Sequence, residues 1–218
     1  MCKLLIYQKQ RNGMPLQSHA HLAYLALERL IVTLKLEPGA LVTERQLIEL
    51  AGLGRTPVRE AIQKLAWQGL MDVRPRVGLQ ITTIRPDDQV HVMQARQKLE
   101  PLAAALVATH ASADDRSAMK ACGAEMASRL DAGDMEGFLV ADKVFDELME
   151  EACPNRFLTA ALAPLQTHAR RIWFASSSPE KMVGSVRRHV TVIDAVERAD
   201  APGASAAMTE LMNYLSDA

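Results

Sequence analysis

Two groups of side chains have types and spacings that suggest chemistry. The first is Gly54-Arg55-Thr56-Pro57-Val58-Arg59, with Arg45 shortly before it. Guanidinium forks match phosphate oxygens and the edge of guanine through paired hydrogen bonds. At the start of a helix they stand beside bare backbone N–H groups and a positive dipole end, a combination suited to a phosphate. Arg76 and Gly78, in the basic run Arg74-Pro75-Arg76-Val77-Gly78, can bring a hairpin tip to the same backbone. The second group is Asp142, Asp146 and Glu150, with His189 further on. Acids at i and i+4 share a helix face and repel unless a cation or water lies between them. Three in one ridge read most simply as a solvated acidic stripe. His189 falls on an apolar stripe with Val186, Ile193 and Val196, so it should point inward.

The first group needs a helix to hold it, and the flanking sequence provides three. Leu22, Leu25, Leu27, Leu30, Ile31 and Leu34 recur at helical spacing within 17–35, until Pro38-Gly39 turns the chain. A second helix starts at Thr43-Glu44, where Thr43 with Gln46 has the form of a capping box, and closes at Ala51-Gly52. A third follows with Thr56 as N-cap and Pro57 at the first helical position, and runs to Gln68-Gly69. Strand-like pieces at Leu70–Val73 and Leu79–Ile84 flank the basic tip. Three short helices and a basic hairpin make a winged helix-turn-helix, whose second motif helix enters the DNA major groove.

Charge follows the same division. The chain of 218 residues has a formal net charge of −1. Residues 1–84 carry 11 Lys and Arg against 6 Asp and Glu, whereas residues 85–218 carry 14 against 20. The halves thus stand at +5 and −6, an asymmetry that suits a nucleic-acid partner for the first half. The composition, 49% hydrophobic and 23% charged, excludes collagen-like and wholly disordered chains. No apolar run is long enough for a membrane helix, and the start has no signal-peptide pattern. Cys2, Cys122 and Cys153 are too few and too scattered for a disulfide framework. A cytoplasmic protein without a membrane partner is expected.

The run Leu36 to Leu47, and Gly54-Arg55-Thr56-Pro57-Val58-Arg59-Glu60-Ala61-Ile62 with Gly69-Leu70 behind it, resemble the GntR family of bacterial transcription regulators. The resemblance implies contacts to operator DNA from Arg45, Arg55, Thr56, Arg59 and the wing glycine Gly78. Two positions depart from the family pattern. Gly54 stands where a Ser or Thr is usual, and Val77 stands where a basic residue is usual, with Arg76 one position earlier.

The second half reads as helix throughout. Helices are expected from Pro86-Asp87-Asp88 to about His110, from Ser112 to Gly133, and from Asp134 to Cys153. Others are expected from Arg156 to Trp173 or Phe174 with a bend at Pro164, over 180–199, and over 204–216. The fold class is mainly α: a winged helix-turn-helix over 17–84, then an antiparallel helical bundle over 85–218. Residues 1–16 match neither part and read as a disordered arm or an over-long start.

The bundle resembles the FCD ligand-binding domain of the FadR-like GntR subfamily. The resemblance rests on Ala95–Ala103, on Asp142–Leu148 with Asn155, and on Arg188-His189 with Ile193. It implies a homodimer and a small-molecule effector in the bundle, often beside a divalent metal. In the metal pattern Asp142 and His189 match, Asp146 replaces a His, and the fourth position falls on Leu211. Such a set would take one divalent ion of the Zn, Ni or Mn class; Tyr214, one turn after Leu211, could supply an oxygen there and is a further candidate contact to the effector. By the same resemblance Arg96 faces the pocket and would pair with a carboxylate effector; otherwise it forms a surface i,i+4 pair with Glu100. Arg170, Arg171 and Trp173 are further candidates to line the pocket. The expected function is a ligand-responsive repressor released by a small organic acid. The alternative is a metal-dependent small-molecule enzyme using the acidic pair. Against the enzyme, the chain carries no nucleophile elbow, phosphate-binding glycine loop or zincin helix, and Cys122 and Cys153 sit at apolar helical positions.

Overall fold

A computed structural model describes residues 18–74 and 78–217. The chain divides into two units between Ile84 and Arg85. The expected arm at 1–16 and the tip residue Arg76 lie outside the described residues.

In the first unit, α1 spans His19–Val32, α2 Glu44–Ala51 and α3 Arg55–Trp67. The Ser18 side chain caps α1 by accepting from the His21 N–H. Thr43 and Gln46 form the expected capping box at the start of α2. Gly52 ends α2 at φ 63°, a left-handed turn in which only a residue without Cβ is unstrained. The α3 N-terminus differs from expectation. Gly54 is the N-cap and makes no side-chain cap hydrogen bond, while Thr56 and Pro57 lie inside the first turn. Pro57 costs nothing there because the first four helical N–H groups have no intrahelical acceptor.

Strands β1 (Leu41–Val42), β2 (Met71–Arg74) and β3 (Gly78–Ile81) form an antiparallel sheet in the order β1-β3-β2. Arg74 lies opposite Gly78, and Leu41 opposite Gln80. The two-residue β1 is too short for an alternating pattern to announce it. Leu27, Ile31, Leu47, Val58, Leu65, Leu70 and Ile81 meet in one buried cluster that holds α3 against α1, α2 and the sheet.

The described residues of the second unit form six helices: α4 Asp88–His110, α5 Ala113–Asp131, α6 Met135–Ala152, α7 Arg156–Ala175, α8 Pro179–Glu197 and α9 Ala201–Asp217. Helix α4 packs against α9, α7, α8 and α6, and α5 packs against α6 and α8. Pro164 does not interrupt α7. Helix α9 begins earlier than expected, because Asp200 accepts from the Gly203 N–H and Pro202 is tolerated in a first turn. Phe138, Phe145, Met119, Met126, Val192 and Met208 are buried at the helix contacts. Among the described residues no helix is long and apolar enough to cross a membrane.

Candidate functional site

The first unit presents its arginines outward. Arg45, Arg55 and Arg59 expose 89%, 74% and 61% of their side chains. They are not bare. The Arg55 Nε donates to Glu44 Oε1 at 2.7 Å, and Arg59 Nε lies 3.6 Å from Glu44 Oε2. Arg45 donates to Glu49 Oε1 at 3.0 Å. Glu44, at the start of α2, therefore gathers the two arginines of α3 into one array. The sequence reading missed it, because the partners lie on different helices. Thr56 is exposed beside them, and the uncapped first turn of α3 leaves its backbone donors to an outside partner. Gly78 begins β3 at φ 123°, which an L side chain rarely adopts. A Cβ there would also sit 3.4 Å from the Val42 carbonyl oxygen.

The second unit turns its chemistry inward. A cavity of about 40 Å³, open to solvent on one side, lies among α4, α6, α7, α8 and α9. Val92, Met93, Phe138 and Ile172 give it apolar walls, and Arg96, Arg170 and Trp173 also line it. Arg171 is not among the lining residues. It is 1% exposed, and burial lowers its pKa against the pull of Asp88.

Arg96 forms the i,i+4 pair with Glu100 at 2.9 Å, but that pair is buried, at 9% and 3% side-chain exposure. Gln166 Nε2 also donates to Glu100 Oε1, at 3.2 Å. Arg170 is 7% exposed. One nitrogen of its guanidinium makes a close ion pair with Asp146 and lies 3.5 Å from Asp142 Oδ2. The other donates to Thr167 Oγ1 at 3.2 Å. Asp142 and Asp146 therefore point into the bundle, and only Glu150 lies on the exposed face. The solvated stripe is corrected: its first two members have a cation across from them, supplied by another helix.

His189 is buried as expected. Its Nδ1 meets the Ser185 carbonyl at 2.9 Å and its Nε2 meets Asp142 Oδ1 at 3.1 Å. Both partners only accept, so the geometry favours a proton on each ring nitrogen. The edges of Phe145 and Phe138 pack beside the ring. Burial works against that charge, but the hydrogen bond and charge of Asp142, then the Ser185 carbonyl and Asp146, outweigh it and raise the His189 pKa. Burial likewise works to raise Asp142, yet His189, Arg170 and Arg96 prevail and lower it. Asp146 goes the other way. Burial pushes it up to about 7 against Arg170, with Asp142 and Glu100 adding to the rise.

Among the described residues no group of three or more His, Cys, Asp and Glu side chains is placed to hold a metal ion. The expected trio Asp142, Asp146 and His189 does not fit one. Arg170 takes the faces of both acids, and His189 Nε2 is turned onto an oxygen of Asp142. Leu211 is buried at the position of the fourth donor. Tyr214 is placed elsewhere. Its hydroxyl reaches the Lys181 carbonyl at 3.2 Å and its ring lies under Arg188, outside the cavity lining. Cys122 donates to the Ala141 carbonyl, and burial raises its thiol pKa, so it is no nucleophile.

Comparison with known proteins agrees with both halves. Residues 20–81 match the model for bacterial regulatory proteins of the gntR family, and residues 91–214 match the FCD domain. A protein of Paenarthrobacter nicotinovorans named "Probable D-xylose utilization operon transcriptional repressor" is 30% identical over 80% of this chain and 77% of its own. The HTH-type transcriptional repressor RspR of Escherichia coli is 23% identical over 89% of this chain and 86% of its own. The solved structure of E. coli McbR/YncC shares the fold at a TM-score of 0.77 and 19% identity, covering 91% of this chain and 95% of that one. The chain therefore belongs to the GntR family, as a transcriptional regulator with a winged helix-turn-helix and an FCD domain, and is not an enzyme.

Proposed function

We propose that this regulator is a cytoplasmic homodimeric repressor released from its operator by a small organic acid. Arg45, Arg55, Thr56, Arg59, Arg76 and Gly78 form the DNA surface. Two copies read two half-sites about one helical turn apart. Arg96 and Arg170 receive the effector carboxylate, and the apolar walls take the rest of the molecule. The observation that carries the effector reading is the cavity itself. Its walls are largely apolar, yet Arg96 and Arg170 open onto it beside Asp142, Gln89 and Ser185, and the buried Trp173 indole N–H meets no acceptor among the described residues. An unmet buried donor costs about 1–3 kcal/mol, which a ligand oxygen would recover. Release requires that the effector bind one arrangement of the dimer better than the other.

The test is an anisotropy titration with the DNA upstream of the protein's own gene, at several salt concentrations and with organic acids added. Binding should weaken steeply with salt and with one acid. Arg55→Ala or Arg59→Ala should weaken it roughly 10- to 100-fold while leaving the thermal unfolding of the bundle unchanged. Salt-insensitive binding, or normal binding by either variant, would overturn the DNA surface.

A further inference from the structure

We infer that Arg170 is the resident cation of the effector site, standing where a divalent ion would bridge Asp142 and Asp146, so that the domain takes its effector without a metal. The inference rests on reading the cavity as the effector site and concerns how that site is built.

Two carboxylates on one helix face, one turn apart, need a positive charge between them. The guanidinium of Arg170 meets both from α7, and Thr167 Oγ1 fixes its other nitrogen. The guanidinium is planar, always charged and nearly fully buried, so bulk water screens its pairing with the two acids little. Asp142 uses its remaining oxygen on His189 Nε2 at 3.1 Å. His189 in turn uses Nδ1 on the Ser185 carbonyl at 2.9 Å. A metal would need Nε2 and both acids, and Nε2 already faces Asp142 while both acids face Arg170. Burying a divalent ion there as well would set it against a fixed positive charge at close range, which a low-dielectric interior penalises heavily. Arg170 also lines the cavity, so one side chain both neutralises the acids and offers a cationic edge to an incoming carboxylate.

The experiment uses the full chain purified without chelator. Metal content is read by mass spectrometry, and Tm with and without added Zn²⁺, Ni²⁺ or Mn²⁺. The wild type should hold far less than one metal per chain, and its Tm should ignore all three ions. Arg170→Ala frees both acids and should gain one ion, with a rise in Tm of roughly 5 °C or more when the metal is well above its dissociation constant. Arg170→Lys keeps the charge and should stay indifferent to metal. Stoichiometric metal in the wild type overturns the inference. So does an Arg170→Ala protein that gains no ion, or an Arg170→Lys protein that responds to one. An Arg170→Ala chain that is soluble only when metal is supplied supports it. The effector reading is scored separately, by whether an organic acid raises the Tm of the metal-free wild type. A metal-loaded protein that still responds to an acid sinks only this inference, and a metal-free protein that answers no acid sinks only the other.

Discussion

Both units join arginine to carboxylate across two helices, and they do so in opposite surroundings. In the first, Glu44 of α2 meets Arg55 and Arg59 of α3, with side-chain exposures of 32%, 74% and 61%. In the second, Arg170 of α7 meets Asp142 and Asp146 of α6, at 7%, 16% and 12%. Exposed pairs contribute about 0–1 kcal/mol and are screened by salt. Such arginines exchange a carboxylate for a phosphate at little cost, as a DNA surface requires. A buried pair need not add net stability, but removing one partner strands the other and costs about 3–5 kcal/mol. The same two residue types therefore make a replaceable contact in one unit and a fixed structural one in the other.

Removing one acid from each cluster should expose the contrast. Asp142→Ala takes one of the two acids that face Arg170 and the carboxylate that meets His189 Nε2. A loss of about 3–5 kcal/mol is expected, read as a fall in Tm on the order of 10 °C. Glu44→Ala should change Tm by no more than a degree or two, since its partners stay solvated. Equal falls in the two variants would erase the distinction between the clusters.

Glu44 allows a finer test on DNA. Glu44→Gln keeps the side-chain shape while releasing Arg55 and Arg59 from a carboxylate that also repels phosphate. Affinity for unrelated DNA at low salt should rise by roughly 5-fold, since one opposing charge near the backbone is worth about 1 kcal/mol. Operator preference should narrow by a similar factor, because the two guanidiniums lose the partner that orients them. Unchanged discrimination would mean that the DNA, and not Glu44, sets their geometry.

What could be read from sequence follows the same line between local and distant. The Thr43–Gln46 capping box, the Arg-Thr-Pro-Val-Arg run and the helical periodicities are set within a few residues, and each marks its element. The boundaries that moved did so over similar local alternatives: Gly54 capped α3 in place of Thr56, and Asp200 drew α9 three residues forward. The candidate site in the bundle was less legible. Asp142 and Asp146 flank the buried stripe of Phe138, Ala141 and Phe145, and polarity alone assigns such residues to solvent. Their partners Arg170 and His189 come from α7 and α8, and no spacing rule links residues on separate helices. Glu44 was overlooked for the same reason, as a local capping argument explains it without Arg55 or Arg59.

The smallest effect concerns protons, and it also separates the units. His189, Asp146 and Asp142 titrate beside Arg170, Arg96 and Glu100. The pKa of His189 lies above its ordinary 6.5 in the folded protein, so its stabilisation is complete below that value and fades as pH rises through the folded pKa. Asp146 moves from an ordinary 3.8 to about 7, so its protonated form favours folding and that gain is lost as pH climbs through 7. Asp142 is lowered, and its contribution disappears only on acidification below its ordinary 3.8. Between pH 6 and pH 8 the two active terms share one sign, and Tm should fall by a few degrees as pH rises. Asp146→Asn removes one of the two and should flatten the slope, with the variant gaining on the wild type at pH 8. Arg55 and Arg59 stand exposed on α3, outside this buried cluster, so operator binding measured under the same conditions is the comparison. A Tm that rises toward pH 8, or an Asp146→Asn slope equal to the wild type's, would show that Arg170 keeps Asp146 ionised throughout and that burial is the weaker influence.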